Sequence, residues 1–172
     1  MEEAGHYQVG HRLPAGKLIT RVVSGGQTGV DRAALDAALE LGIDCGGWIP
    51  AGRLAEDGRV PDRYTGLVET TSADYAERTR LNIRDSDAIL VLTYGKPSGG
   101  TALTVELSGR LNRPRLVIDL EHMENAEAEA AILAWLRETR PDVLNVAGPR
   151  LSEAPQIEAS ATQLLKTVLA RS

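Results

Sequence analysis

Two glycine-rich turns, each placed between an apolar run and an amphipathic stretch, constrain this chain most strongly. They are Ser24-Gly25-Gly26-Gln27-Thr28-Gly29 and Ser98-Gly99-Gly100-Thr101. In α/β proteins, a strand followed by a glycine-rich turn and a helix places the helix N-terminus around an anion. One such turn would be weak evidence, but two in the same chain point to a bound phosphate.

Strand and helix patterns alternate along the rest of the chain. Buried strands are predicted over residues 18–24, 43–49, 87–93, 115–120 and 143–147, with a minor edge strand at 67–70. Helices are predicted over 31–41, 75–84 (capped near Ser72), 101–111, 126–137 and 156–170, and residues 50–65 form a long turn-rich segment. Such alternation is typical of a parallel sheet with helices on both faces. It predicts an α/β, Rossmann-like, doubly wound fold with a mainly parallel sheet of about five strands.

Length and composition favour a single domain. The chain has 172 residues, 42% of them hydrophobic, which suffices for one core and is short for two. Residues 1–17 lack periodicity, so we expect a flexible N-terminal extension followed by one domain over 18–172. No apolar run approaches the roughly 20 residues that span a bilayer. The single cysteine, Cys45, is expected in a buried strand and allows no intramolecular disulfide, which predicts a cytoplasmic location.

The charge and the aromatic content argue against nucleic acid as a partner. The net charge is −5, and no dense stripe of Lys and Arg is present. Aromatic residues make up 3% of the chain, with no Phe, so few platforms could stack bases, although Tyr64, Tyr75 or Tyr94 could each stack on one ligand ring. Scattered histidines predict no metal site. A small phosphorylated ligand fits these observations.

The first turn carries several groups that suit an anion. Its glycines permit positive φ or close approach, while Gln27 and Thr28 add side-chain donors. We infer that the strand that ends at Ser24 lies beside the strand that ends at Thr93, which would make both turns face one crevice. Asp31 is expected to cap the following helix; otherwise it would bind a sugar hydroxyl or hold Mg²⁺.

The second turn and the loop at 52–64 add further candidates. Lys96 can offset negative charge, and Ser98 and Thr101 can donate hydroxyls. The loop concentrates three arginines and three carboxylates, which either recognise a phosphate or pair with one another. On the next helix, the spacing of three and four residues places Tyr75, Arg78 and Asn82 on one face. The first turn lacks the Lys-Ser/Thr pair of a Walker loop, and its glycines only approximate the spacing of the standard dinucleotide fingerprint.

Four segments together resemble the molybdenum cofactor carrier family. This family belongs to the SLOG superfamily of Rossmann-like nucleotide-binding proteins and is related to the lysine-decarboxylase-like phosphoribohydrolases. The segments are VVSGGQTGVDRAALDAALELGI, GGWIPAGRLAEDGRVPDRY, YAERTRLNIRDSDAILVL and SGGTALTVEL, and they fall between residues 18 and 120.

The resemblance implies a non-catalytic protein that binds and protects the molybdenum cofactor, a molybdopterin with a terminal phosphate, and delivers it to molybdoenzymes. It also implies a homodimer or homotetramer. The binding residues that it implies are Gly25, Gly26, Gln27, Thr28, Gly29, Asp31, Arg53, Glu56, Asp57, Arg78, Asn82, Gly99, Gly100, Thr101 and Glu106. Lys96 and Ser98 complete the predicted site, and Mg²⁺ near Asp31 or Asp57 stays open.

Two alternatives remain at this stage. A phosphoribohydrolase with the motif PGGxGTxxE would cleave the base from a nucleoside monophosphate. The only nearby carboxylate here is Glu106, five residues after Thr101, which is displaced by more than a helical turn. A sensor of free nucleotides or of ADP-ribose-type ligands would use the same crevice.

Overall fold

The structure, a computed structural model, describes residues 18–172, so the extension predicted over 1–17 lies outside the described residues. The strands are β1 (Arg21–Val23), β2 (Asp44–Ile49), β3 (Leu54–Ala55), β4 (Gly58–Arg59), β5 (Leu67–Glu69), β6 (Ala88–Thr93), β7 (Arg115–Asp119) and β8 (Val143–Ala147). The helices are α1 (Val30–Glu40), α2 (Tyr75–Arg84), α3 (Gly99–Arg110), α4 (Asn125–Thr139) and α5 (Ile157–Arg171), with a short 3-10 helix at Ala51–Arg53.

Six parallel strands form the main sheet, in the order β5-β2-β1-β8-β6-β7. Helices α1 and α5 pack against each other over one face, with α4 beside α5, while α2 and α3 pack together over the other face. This is the Rossmann-like, doubly wound arrangement that the alternation predicts. Within residues 18–172, no helix is long and apolar enough to cross a membrane.

The last strand of the chain lies at the centre of the sheet. β8 pairs with β1 on one side, Val22 opposite Leu144, and with β6 on the other, Leu90 opposite Val146. The prediction that the strand ending at Ser24 lies beside the strand ending at Thr93 is therefore wrong. All three strands are apolar enough for a central position, so composition does not distinguish their order. Three strand ends, rather than two, meet at this edge of the sheet.

The two faces of the sheet bury very different amounts of apolar surface. The larger core lies under α1, α4 and α5 and includes Leu35, Leu144 and Leu165, all inaccessible to solvent. The smaller core lies under α2 and α3 and is centred on Ile83 and Ile89. Each such side chain stabilises the fold by about 1.5–3 kcal/mol through burial. Cys45 is buried in β2, as its sequence context predicts.

The long segment after β2 has more structure than its turn-rich sequence predicts. Strands β3 and β4 form a small antiparallel hairpin in which Ala55 pairs with Gly58. Helix α2 then begins two residues later than a cap at Ser72 would place it, because Asp74 is the cap and its carboxylate accepts from Ala76 N at 2.9 Å. The tip of the hairpin reaches back to the first glycine-rich turn.

Candidate functional site

A crevice of about 230 Å³ lies beyond the carboxyl ends of the central strands, between the N-terminal ends of α2 and α3. In doubly wound sheets, ligands bind at this edge. Of the predicted site residues, the crevice brings together Gln27, Asp31, Arg78, Gly99, Gly100 and Thr101. Tyr75 lines it too, and a smaller adjoining cavity of about 40 Å³ is lined by Lys96 and Ser98.

The second glycine-rich turn is open to the crevice. Helix α3 begins at Gly99, and Ser98 caps it through its main-chain oxygen, which accepts from Thr101 N at 3.1 Å and Ala102 N at 3.2 Å. The preceding N–H groups, those of Gly99 and Gly100, are ones that an α-helix leaves without internal acceptors. A Cβ added at Gly100 would have nothing within 4 Å. The turn thus presents backbone donors and the positive end of the helix dipole to a ligand.

The glycines of the first turn are packed against protein. A Cβ on Gly25 would lie 1.5 Å from Nη1 of Arg78, so the guanidinium occupies the space above this residue. Gly29 has φ +83, and its Cβ would lie 2.4 Å from the carbonyl oxygen of Pro149. Gly26, with φ +72, faces apolar side chains at 3.1–3.3 Å. These positions require glycine for internal packing.

The polar residues of the first turn are largely bound within the protein. Oε1 of Gln27 accepts from the backbone N–H of Thr28 at 3.1 Å and of Glu56 at 2.9 Å. Oγ1 of Thr28 donates to Glu56 at 2.5 Å and accepts from Leu151 N at 3.1 Å. The side-chain nitrogen Nε2 of Gln27, which lines the crevice, has no acceptor within residues 18–172.

Asp31 and Arg78 form a nearly buried ion pair beneath the crevice. Their closest atoms, Oδ2 and Nη1, lie 3.5 Å apart, and Oδ2 also accepts from Gln27 N at 3.2 Å. The prediction that Asp31 caps α1 is wrong, because the cap position is Gly29 and Asp31 already belongs to the first helical turn. Burial raises the pKa of the Asp31 carboxyl, and the Arg78 charge opposes this rise. Nε of Arg78 is buried without a partner in the described part of the chain.

Two predicted site residues lie away from the crevice and hold the backbone. Arg53 donates to the main-chain oxygens of residues 60, 61 and 64 at 2.9–3.4 Å, which fixes the loop after the hairpin. Asn82 is buried, accepts from Trp48 N at 2.7 Å and donates to Trp48 O at 2.9 Å. The two hydrogen bonds of Asn82 join α2 to β2.

The remaining predicted carboxylates are engaged with arginines or hydroxyls. Asp57 pairs with Arg32 through two contacts of 2.5 and 2.8 Å, and these hydrogen bonds lower its pKa. Glu106 pairs with Arg110 at 2.5 Å on the exposed side of α3 and does not line the crevice. Glu56 accepts from Thr28 and belongs to the network that holds the hairpin tip against the first turn.

The sequence reasoning missed the connection from β8 to α5, residues 148–156, which we call the β8–α5 loop. Its Arg150 and Glu153 line the crevice, and Nε of Arg150 donates to Oε1 of Glu153 at 3.2 Å. Glu56 holds the loop by accepting from Ser152 N at 3.1 Å and from Ser152 Oγ at 2.5 Å. The sequence does contain a pattern that could have indicated this loop. Gly148 and Pro149 follow a buried strand and precede a helix, as the glycine-rich turns do.

Metal ligands of the usual types converge away from the crevice. Among residues 18–172, one group of three meets the spacing for a shared ion, namely Asp119, Glu121 and His122 at the carboxyl end of β7. Nδ1 of His122 lies 2.8 Å from Oδ2 of Asp119, and this contact raises the pKa of the imidazole. Mg²⁺ near Asp31 or Asp57 stays a prediction. In this structure Asp31 pairs with Arg78, and Asp57 pairs with Arg32.

Comparison with known proteins agrees with this architecture. The model of the circularly permuted YpsA SLOG family matches residues 22–169. The crystal structure of a protein from Syntrophus aciditrophicus that bears the name molybdenum carrier superposes with a TM-score of 0.86 and is 44% identical, over 89% of this chain and 96% of that one. A comparison with curated proteins gave no match. Matched over most of its length, this chain belongs to the circularly permuted YpsA SLOG family.

Proposed function

We propose that this protein carries the molybdenum cofactor and that the crevice receives the cofactor's terminal phosphate. The name of the Syntrophus aciditrophicus relative, at 44% identity, supports a molybdenum-related ligand. The observation that carries the proposal is a set of hydrogen-bond donors in the crevice that have no acceptor within residues 18–172, among them the buried Nε of Arg78. Buried donors are almost always paired in folded proteins, so the unpaired Nε of Arg78 indicates a missing acceptor.

The unpaired donors come from several elements. Only 5% of Thr101 is exposed, and no protein partner for its hydroxyl exists within residues 18–172. The side-chain nitrogen Nε2 of Gln27 and Nε of Arg78 are likewise without acceptors there. The backbone N–H groups of Gly99 and Gly100 add to this set. A phosphate offers several acceptor oxygens and the negative charge that a helix N-terminus and an arginine favour.

A ring would fit at the mouth of the crevice. Tyr75 is 37% exposed and lines the crevice at the start of α2. The guanidinium of Arg78 lies 5.8 Å from the centre of the Tyr75 ring. An exposed aromatic face beside a cation can stack on a flat heterocycle such as a pterin. We propose that Tyr75 contacts the pterin while the phosphate lies at α3.

We propose carriage without turnover, with molybdoenzymes as recipients and a homo-oligomer as the carrying form. The two carboxylates that line the crevice, Asp31 and Glu153, both face arginines, and the Glu106 of the hydrolase alternative faces solvent. Binding through backbone donors and a stacked ring holds a ligand without presenting a group poised for proton transfer. Protection then follows from burial of the phosphate end.

Isothermal titration with molybdenum cofactor, with AMP and ADP-ribose as competitors, tests this proposal. We expect saturable cofactor binding that the nucleotides do not displace. In Gly100→Asp, a carboxylate placed at the first turn of α3 should weaken binding about 100-fold or more, equivalent to about 2.7 kcal/mol. The helix itself should tolerate or gain from that charge.

Gly100→Ala is the matched control, since it adds a Cβ in open space without a charge. It should bind the cofactor more tightly than Gly100→Asp while unfolding at a similar temperature. Tight nucleotide binding with no cofactor signal would contradict the proposal and favour the sensor, and base release from a nucleoside monophosphate would favour the hydrolase.

A further inference from the structure

The β8–α5 loop brings a carboxylate to the N-terminal end of α3. Oε1 of Glu153 lies 3.5 Å from the position that a Cβ on Gly99 would take, and Glu153 lines both the crevice and the smaller cavity. The N-terminus of a helix carries about half a positive charge and favours an anion within its first turn. Glu153 thus provides a negative charge where the ligand's phosphate is proposed to bind.

The same carboxylate engages Arg150. Nε of Arg150 lies 3.2 Å from Oε1 of Glu153 and 3.9 Å from Oε2 of Glu56. The two terminal nitrogens of the guanidinium have no acceptor within residues 18–172. A guanidinium can bind an oxyanion through two parallel hydrogen bonds. Arg150 is therefore held through one nitrogen and keeps its fork available in a crevice that it lines.

The backbone of the loop is fixed, so rearrangement is confined to side chains. Leu151 N donates to Oγ1 of Thr28, and Ser152 is bound to Glu56 through both its N–H and its hydroxyl. The side chains of Arg150 and Glu153 are 36% and 32% exposed. They can exchange partners without moving the loop.

A second observation shows that Glu153 does not complete the site. Thr101 lines both cavities, as Glu153 does, and is 95% buried, yet its hydroxyl has no protein partner in the described part of the chain. Nε of Arg78, which also lines the crevice, is buried without a partner there, and buried donors are normally paired. The site therefore has a donor that the Glu153 carboxylate leaves unused and that a phosphate oxygen could satisfy.

We propose that Glu153 is an internal competitor of the ligand's phosphate. In the unliganded protein its carboxylate balances the charge of the α3 N-terminus and of Arg150. The incoming phosphate displaces it, and Arg150 then binds the phosphate. This inference rests on the proposed phosphate site. It would keep the affinity for the ligand below its maximum, which favours release to a recipient.

A titration with inorganic phosphate, followed through the amide NMR signals of Gly99 and Gly100, tests the competition. We expect Glu153→Gln to bind phosphate roughly threefold to thirtyfold more tightly than the wild type, and the gain to shrink at high salt. Glu153→Ala should act in the same direction, which protects the test against a folding defect in one variant. Adding Arg150→Gln to Glu153→Gln should reverse the gain.

Glu127→Gln is the matched control, because Glu127 is an exposed carboxylate in the first turn of another helix, α4, and does not line the crevice. It changes the net charge equally and should leave the titration unchanged. If phosphate shifts the two glycine signals in the wild type but both Glu153 variants bind equally or more weakly, the competition is overturned and the phosphate site stands. If no variant responds to millimolar phosphate, the proposed site fails as well.

Discussion

The two glycine-rich turns look alike in the sequence, but in the structure the first packs against protein atoms and the second is open to the crevice. The first turn is closed, since the Arg78 guanidinium lies over Gly25 and the Pro149 carbonyl lies against Gly29. The second turn is open, since a side chain at Gly100 would meet no atom within 4 Å. A missing side chain admits another group in both turns, but in the first turn that group is part of the protein.

This difference teaches how a glycine-rich motif should be interpreted. The closed turn positions Gln27, Asp31 and Arg78, so its influence on a ligand passes through side chains. The open turn offers its backbone directly. A sequence pattern identifies where the chain approaches something closely, and only the three-dimensional arrangement shows what it approaches.

The largest expected effect separates the two turns by stability. Gly29→Ala should lower the free energy of unfolding by roughly 3–5 kcal/mol, because it combines an unfavourable positive φ with a clash against a backbone oxygen. Gly100→Ala should leave stability unchanged or raise it by about 0.5–1 kcal/mol, as expected for glycine to alanine in a helix. Urea unfolding of both variants measures this. Equal stabilities of the two variants would contradict the distinction between a closed first turn and an open second turn.

A smaller effect concerns the network that closes the first turn. Burial alone would raise the pKa of Glu56, but hydrogen bonds from Ser152 and Thr28 outweigh it and hold the pKa below its ordinary value. A carboxyl with a lowered folded-state pKa stabilises the protein above its unfolded-state pKa, near 4.5, and this stability is lost as the pH falls through the folded-state pKa.

Glu56→Gln should therefore cost about 1–2 kcal/mol at neutral pH, because the amide cannot accept all the hydrogen bonds of the carboxylate. The difference between the two proteins should shrink on acidification below about pH 4.5. Unfolding measured across this range checks the sign. A variant whose deficit stayed constant down to pH 3 would show that the Glu56 charge does not close the turn.

The helices were predictable because their evidence is local. All five begin and end within two residues of the sequence prediction, since amphipathic spacing and caps lie within each segment. The position of β8 was not predictable, because strand order depends on pairing between distant segments. For the same reason the contributions of Arg150 and Glu153 were missed, since they enter the crevice only once β8 lies between β1 and β6.

The site residues also divide into those that a local sequence pattern predicts and those whose partners depend on distant segments. Gly99, Gly100 and Thr101 could be located from one local strand, turn and helix pattern, and they line the crevice. Asn82 and Arg53 could equally well donate hydrogen bonds to a ligand, but in the structure they donate to backbone oxygens of the protein. These partners could not be predicted from the sequence. Donor chemistry can be predicted from a residue type, whereas the acceptor it meets depends on the fold.

The smallest expected effect tests how far the open turn extends along α3. Glu106 lies on the same helix as Gly100, but its carboxylate pairs with Arg110 on the exposed surface. Glu106→Gln should change cofactor affinity less than twofold and stability by less than about 0.5 kcal/mol, since exposed ion pairs contribute little. Calorimetric titration beside Gly100→Asp provides the comparison. A marked loss of binding would place the ligand along the side of α3 rather than at its N-terminus, and loss of base release would reinstate the hydrolase.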